Sequence, residues 1–330
     1  MNIFQQYLVE EFAEDYQEGH LSRREALKLI ASVTGSLLLA NTILAGCAPP
    51  GQTLIATATD TSVAGAQPET TATSTATKAP ADSPTEAMTT EATPSEATPT
   101  EAIAGQDSQF PGQDATLIGY LASPAGEGPF PVVLICHENR GLTEHIKDVA
   151  RRLAQAGYVA LAVDLLSRQG GTSTLDTGDV PGILGNTSSD QFVADFLSGW
   201  EYLKTLPYTQ TERTGMVGFC FGGGVTWLMA TRMPELRAAV PFYGLHPPVE
   251  EVPNIQAAVL GIYAGNDQRI NQGISAIEKA MAQNGKIYEK VIYPGVDHAF
   301  HNDTGTRYNP EAAIDAWKRT LDWFDRYLRS

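Results

Sequence analysis

Residues 218–222 read Gly-Phe-Cys-Phe-Gly, between a strand-like segment at 213–219 and a helix-like segment at 223–230. This is the G-x-S-x-G spacing with a thiol in place of the hydroxyl, in the strand–turn–helix context that the spacing requires. Few chain paths satisfy it. The turn is too tight for side chains at its flanks, and the residue at its apex is forced into a strained conformation that the surrounding structure must hold. A helix starting just after Cys220 also aims backbone N–H groups and positive dipole at the sulfur, which favours thiolate. The pentapeptide thus predicts a sheet that presents a candidate nucleophile at the C-terminal ends of its strands.

Two further segments supply partners for a thiol. A strand-like run at 257–263 leads into Ala264-Gly-Asn-Asp267, and another at 286–293 leads into Pro294-Gly-Val-Asp-His298. Thiol, acid and base therefore follow in the order Cys220, Asp267, His298, each just past a predicted strand. In such a set His298 takes the thiol proton and later returns it to a leaving group. Asp267 holds the imidazole tautomer and stabilises its cation.

These motifs resemble the dienelactone hydrolase family of α/β-hydrolases, over about residues 109–328. Besides the pentapeptide, the resemblance rests on residues 131–137 leading into Glu138-Asn-Arg-Gly-Leu142, and on residues 158–164 leading into Leu165-Leu-Ser-Arg168. It also rests on His298-Ala-Phe-His-Asn-Asp303 followed by Arg307-Tyr308. It implies an α/β-hydrolase fold, a doubly wound, mostly parallel sheet with helices on both faces. The implied activity is cleavage of an ester or lactone through an acyl-enzyme at Cys220. Glu138 is implied to bond the Cys220 S–H until substrate releases the proton toward His298, which would spare the resting thiol from oxidation. The fold implies an oxyanion hole made of the Phe221 and Asn139 N–H groups. Arg168 matches the first of two arginines that grip a substrate carboxylate. Asn302 stands where the second would fall, and a neutral amide does not replace a bidentate guanidinium. Arg307 and Arg140 are the other nearby sources of positive charge in sequence. A thioesterase or general carboxylesterase is therefore the alternative within enzymes. A non-catalytic surface lipoprotein that binds a small ligand is the alternative outside them.

The remaining elements fit the same architecture. Helical spacing of apolar residues runs over 144–156, 190–206, 272–283 and 310–328, and 238–243 reads as a strand made irregular by Pro241. The Gly-, Thr- and Asp-rich stretch 167–189 is expected to cap the site. Trp227 and Cys136 are expected in the core.

Ahead of this domain, residues 22–28 resemble a twin-arginine signal, and an apolar stretch at 29–44 ends in Leu44-Ala-Gly-Cys47, a lipobox with Cys47 as the lipidated position. Residues 1–47 are thus read as a signal or anchor segment, cleaved before Cys47 or retained as a helical anchor. The acidic stretch 2–19 carries Ile3, Tyr7, Leu8, Phe12 and Tyr16 at helix-like spacing. Residues 48–107, rich in Thr, Ala, Pro, Ser and Glu, lack the apolar content to offset ordering entropy and read as a disordered tether. The catalytic domain then spans 108–330. The expected location is the cell envelope, lipid-anchored on the outer face of the cytoplasmic membrane.

The net charge of −16 divides into −3 (3 − 6) for 1–47, −7 (1 − 8) for 48–107 and −6 (18 − 24) for the remainder. No block of Lys or Arg suggests nucleic acid as a partner. The expected partners are a small ester or lactone and, through lipid, the membrane. No cofactor or metal is expected, since the histidines fall in unrelated loops and His298 with His301 lacks the further ligands of a zinc site. With Cys47 assigned to lipid and Cys220 to catalysis, no disulfide framework is visible.

Overall fold

The computed structural model describes residues 1–47 and 105–330. Three helices open the chain: α1 (Ile3–Gln17), α2 (Arg23–Thr34) and α3 (Leu37–Ala45). There follow β1 (Gly105–Gly112), β2 (Ala115–Ala122), β3 (Phe130–Cys136), α4 (Glu144–Gln155), β4 (Val159–Asp164), α5 (Val180–Asn186), α6 (Ser189–Lys204) and β5 (Thr209–Phe219). The order closes with α7 (Phe221–Arg232), β6 (Leu236–Phe242), β7 (Ala258–Ala264), α8 (Gln268–Asn271), α9 (Ile274–Gln283), β8 (Tyr288–Tyr293) and α10 (Pro310–Leu328).

The strands form one eight-stranded sheet in the order β1-β2-β4-β3-β5-β6-β7-β8. The segment from β4 through β3 to β8 is parallel, and β1 and β2 add an antiparallel edge. Central strands are apolar along their whole length because helices cover both faces. Every residue of β4 and of β7 is buried, whereas the edge strand β8 leaves half of its six residues exposed. Strand β1 escapes a pattern-based reading because its sequence, GQDSQFPG, buries only Ser108 and Phe110. Pairing with β2 begins at Gly105, so the folded domain starts three residues before the expected boundary at 108. Pro241 lies inside β6 and leaves a gap in the ladder to β7, which registers at Ala238, Ala239 and Phe242.

The N-terminal segment differs most from expectation. Residues 1–47 belong to the same compact unit as the sheet. Helix α1 starts with a capping box, in which Asn2 accepts from Gln5 N–H and Gln5 accepts from Asn2 N–H. Its inner face buries Phe4, Tyr7, Leu8, Phe12 and Tyr16. Phe4 packs edge-on against Phe192 of α6 and tilted against Phe221 of α7, at centroid distances of 5.4 and 5.1 Å. The apolar stretch 29–44 is not one helix. Gly35 ends α2 in a left-handed conformation at φ 69°, and Ser36 caps α3. Among the described residues no helix is long and apolar enough to cross a membrane. The stretch 167–189, expected to cap the site, instead includes α5, whose Gly182 and Gly185 pack against Ser32 and Val33 of α2. None of its residues is among those lining the cleft beside Cys220. The tether reading over 48–104 lies outside the described residues.

Burial of a large apolar side chain stabilises by about 1.5–3 kcal/mol, so α1 is held by several such contributions. Phe12→Ala should therefore destabilise the docked helix by about 3–5 kcal/mol. The check is a lower unfolding midpoint together with faster proteolysis within residues 1–20 of the full chain. An unchanged midpoint with a protected N-terminus would contradict the packing described.

Candidate active site

Strand β5 delivers Cys220 into the turn before α7, at φ 59° and ψ −120°. This region is sparsely populated for any side-chain-bearing residue. The neighbouring glycines enforce it. A methyl on Gly218 would overlap the Gly222 backbone and Thr226 Oγ1, and one on Gly222 would overlap the carbonyls of Cys136 and His137. A methyl on Gly223 would collide with the Phe242 carbonyl. The Cys220 N–H donates to that same carbonyl at 3.1 Å, tying the turn to β6.

The ends of β7 and β8 bring up the partners. Asp267 caps α8 by accepting from Ile270 N–H at 3.1 Å through Oδ1. Its Oδ2 accepts from His298 Nδ1 at 2.6 Å. That bond places the imidazole proton on Nδ1 and leaves Nε2, which is buried and has no hydrogen-bond partner. Donor atoms of His298, Cys220 and Glu11 lie within 4.8 Å of one another. Burial opposes charge on His298, but the Asp267 carboxylate is the largest influence in the other direction and raises the pKa of the ring, which makes Nε2 a stronger base toward the thiol proton. For Asp267, burial pushes upward and His298 more than reverses it, so the carboxyl titrates low.

The carboxylate beside the thiol is not Glu138. Cys220 Sγ lies 3.4 and 3.5 Å from the two carboxylate oxygens of Glu11, and the Tyr7 hydroxyl donates to Sγ at 3.4 Å. Glu138, also buried, accepts from Asn302 Nδ2 at 2.6 Å. The residue that replaces the expected second arginine thus ties Glu138 down, and α1 inserts Glu11 in the space by the sulfur. Asn139 adds to this arrangement, its side-chain amide donating to Glu11 Oε1 at 2.8 Å. Burial first, and then the Glu11 charge, push the Cys220 thiol up against the weaker pull of His298. The resting group is therefore a thiol, the opposite of the tendency expected from the helix dipole alone. Phe221 opens α7, where its N–H is among the first-turn donors lacking an intrahelical acceptor.

The arginines are placed differently from the sequence reading. Arg168 does not reach the cleft. Its Nη1 contacts both carboxylate oxygens of Asp195 on α6 at 2.8 and 2.7 Å, and its Nη2 donates to the Gln113 carbonyl at 2.8 Å. Arg307 does line the cleft and donates to Asp15 Oδ1 of α1 at 2.7 Å. The cleft encloses about 170 Å³ beside Cys220 and His298, with Phe12, Asn139 and Arg140 among its other walls.

Sequence reasoning missed Tyr7 and Glu11. A signal was present: both lie on the face marked by Leu8 and Phe12, but nothing in the pattern says what that face covers. Tyr243 also went unassigned. It sits at φ 37° with its ring centroid 4.8 Å from His298, and its hydroxyl is buried without a hydrogen-bond partner.

Two outcomes test this geometry. Gly222→Ala should cost about 2–4 kcal/mol, because the added methyl meets backbone on two sides. A midpoint within experimental error of the parent would refute the close approach. Asp267→Asn removes the anion that raises His298, so the ring should titrate at lower pH by NMR. In the parent, the stabilisation from this pair is complete below the unfolded-state histidine pKa and is lost as pH rises through the elevated folded value. An unshifted His298 titration would exclude Asp267 as its cause.

Comparison with known proteins agrees with this architecture. Residues 117–328 match the Dienelactone hydrolase family. A protein of Methylorubrum extorquens that carries the name of a carboxymethylenebutenolidase is 40% identical over 238 residues, covering 68% of this chain and 81% of its own. One of Escherichia coli with the same name is 33% identical over 244 residues, covering 68% of this chain and 88% of its own. A crystal structure from Klebsiella pneumoniae, titled as a dienelactone hydrolase, superposes with a TM-score of 0.64 at 33% identity. It covers 69% of this chain and all of its own length.

Proposed function

The chain belongs to the dienelactone hydrolase family and hydrolyses a carboxylic ester or lactone, and we propose that it does so through a thioester formed at Cys220. The observation that carries this reading is the Asp267–His298 pair at 2.6 Å, with an unpartnered ring nitrogen beside a thiol held on a strained turn. On substrate entry, His298 takes the Cys220 proton and the thiolate attacks the acyl carbon. A C–S bond forms, and the oxyanion is met by the N–H groups of Phe221 and Asn139. Collapse breaks the C–O bond, and His298 gives its proton to the departing alcohol. Water then repeats the sequence, with His298 accepting its proton, and the C–S bond breaks to release the acid and restore the thiol. Burial and the neighbouring Glu11 charge keep the nucleophile a neutral thiol until substrate displaces its polar neighbours.

A general carboxylesterase is favoured over an enzyme specialised for acidic lactones by two contacts. Arg168 is engaged by Asp195, and Asn302 by Glu138. Neither matched position then offers a cation to a substrate carboxylate.

Cys220→Ala should lose at least ~10³-fold in kcat if the thiol is the nucleophile. A reactive ester should leave an acyl adduct on Cys220, seen by mass spectrometry. Near-wild-type turnover by the variant would end the mechanism.

Export and lipidation at Cys47 form a separate proposal, supported by the order of Arg23-Arg24, the apolar stretch and Leu44-Ala-Gly-Cys47. Helix α3, just before that cysteine, exposes Leu37, Leu38 and Leu39. Cleavage there would separate Tyr7 and Glu11 from the thiol they contact, so the precursor and the processed enzyme would have different sites. Cys47→Ser should leave the membrane fraction or accumulate as precursor. Normal processing and full membrane retention would exclude lipidation.

A further inference from the structure

Helix α1 lays carboxylates along the cleft, and two arginines, Arg269 and Arg307, are engaged by it. Arg269 is buried, its guanidinium 4.6 Å from the Tyr7 ring centroid. Its Nε donates to Glu14 Oε2 at 2.9 Å, and its Nη2 lies 4.0 Å from Glu11 Oε2. Arg307 donates to Asp15 Oδ1 at 2.7 Å from the cleft wall. Arg140 stands at the exposed rim, where solvent and salt screen its charge. Glu11 itself lies between the thiol and the Asn139 amide. Each guanidinium is partly neutralised by the carboxylate it holds, which weakens its attraction for a second anion. The Nη1 and Nη2 groups of Arg269, which have no hydrogen-bond partner, are buried, and Arg269 is not among the residues lining the cleft. A substrate carboxylate entering here would also approach Glu11, Asp15 and Glu138 in a partly dehydrated space, where like charges repel strongly.

We propose that, in the chain retaining its N-terminus, α1 sets the charge specificity of the site. Asp15 and Glu14 occupy Arg307 and Arg269 as internal carboxylate ligands, so acyl groups without a carboxylate are selected over acyl groups that carry one. This rests on the hydrolase reading above, but its determinants lie on a helix outside the sheet domain. Asp15 acts as a specificity residue through Arg307. Its replacement by a neutral isostere frees that guanidinium to hold an anionic acyl group.

The test compares the full chain on p-nitrophenyl butyrate and on mono-p-nitrophenyl succinate, near-isosteric acyl groups that differ by a terminal carboxylate. The parent should favour butyrate by at least ~10-fold in kcat/KM, and added salt should narrow the gap because the discrimination is electrostatic. Asp15→Asn should raise the succinate-to-butyrate ratio by at least ~5-fold, chiefly through KM for succinate. Adding Arg307→Gln to that variant should return the ratio to the parent value. Alkylation of Cys220, followed by mass spectrometry, gives a readout that needs no ester turnover. Iodoacetamide should label the parent faster than iodoacetate by more than it labels free cysteine, with the excess reduced in Asp15→Asn. A parent that prefers succinate, or an Asp15→Asn ratio within two-fold of the parent, would overturn the inference without any loss of esterase activity. No turnover of either ester with the alkylation preference intact would sink the hydrolytic reading and support the charge selection. Equal alkylation excess in the parent and Asp15→Asn would overturn it.

Discussion

The site depends on a close approach of backbone to backbone. The turn at Cys220 exists because Gly218, Gly222 and Gly223 let β5, α7 and the loops after β3 and β6 approach closer than a methyl would permit. That contact holds the positive φ at Cys220, which in turn lifts its side chain out of the sheet and toward the ends of β7 and β8. The Asp267–His298 pair is then a consequence of parallel strand order, with both loops emerging on the same edge.

Around that fixed centre the polar contacts are exchanged rather than merely added. Asn302 holds Glu138, Arg168 holds Asp195, and α1 supplies Glu11 to the thiol and Asp15 to Arg307. The first two satisfy the buried carboxylates of Glu138 and Asp195, which would cost several kcal/mol if left unpaired. The site is consequently closed on itself in this state. Its thiol is neutral, its carboxylates are bonded, and a neutral ester meets fewer opposing charges than an acid does.

Helix α1 links the folding of the N-terminus to the chemistry. Aromatic packing of Phe4 against Phe192 and Phe221 anchors one end, and the ion pairs of Glu14 and Asp15 anchor the other. Glu11 is positioned between these anchors, so its contact with Sγ follows from the docking of the whole helix. A segment with the sequence features of an export signal is thereby also a wall of the site.

The periodic and local features were legible in the sequence. Alternating and continuous apolar runs located β3 through β8 except for their ends, and α10 spans the expected residues 310–328. The glycine-flanked cysteine specified its own turn, because steric exclusion at a tight turn is a local property. Chain order placed Cys220, Asp267 and His298 on one edge, and the structure brings them together. What the sequence could not decide were the pairings between distant charges. Strand β1 hid behind polar residues at an edge. Arg168 was drawn to Asp195 by α6, and Glu11 reached a thiol 209 positions away. Those outcomes depend on which buried charge finds its partner at the least desolvation penalty, and only the packed helices and loops determine that.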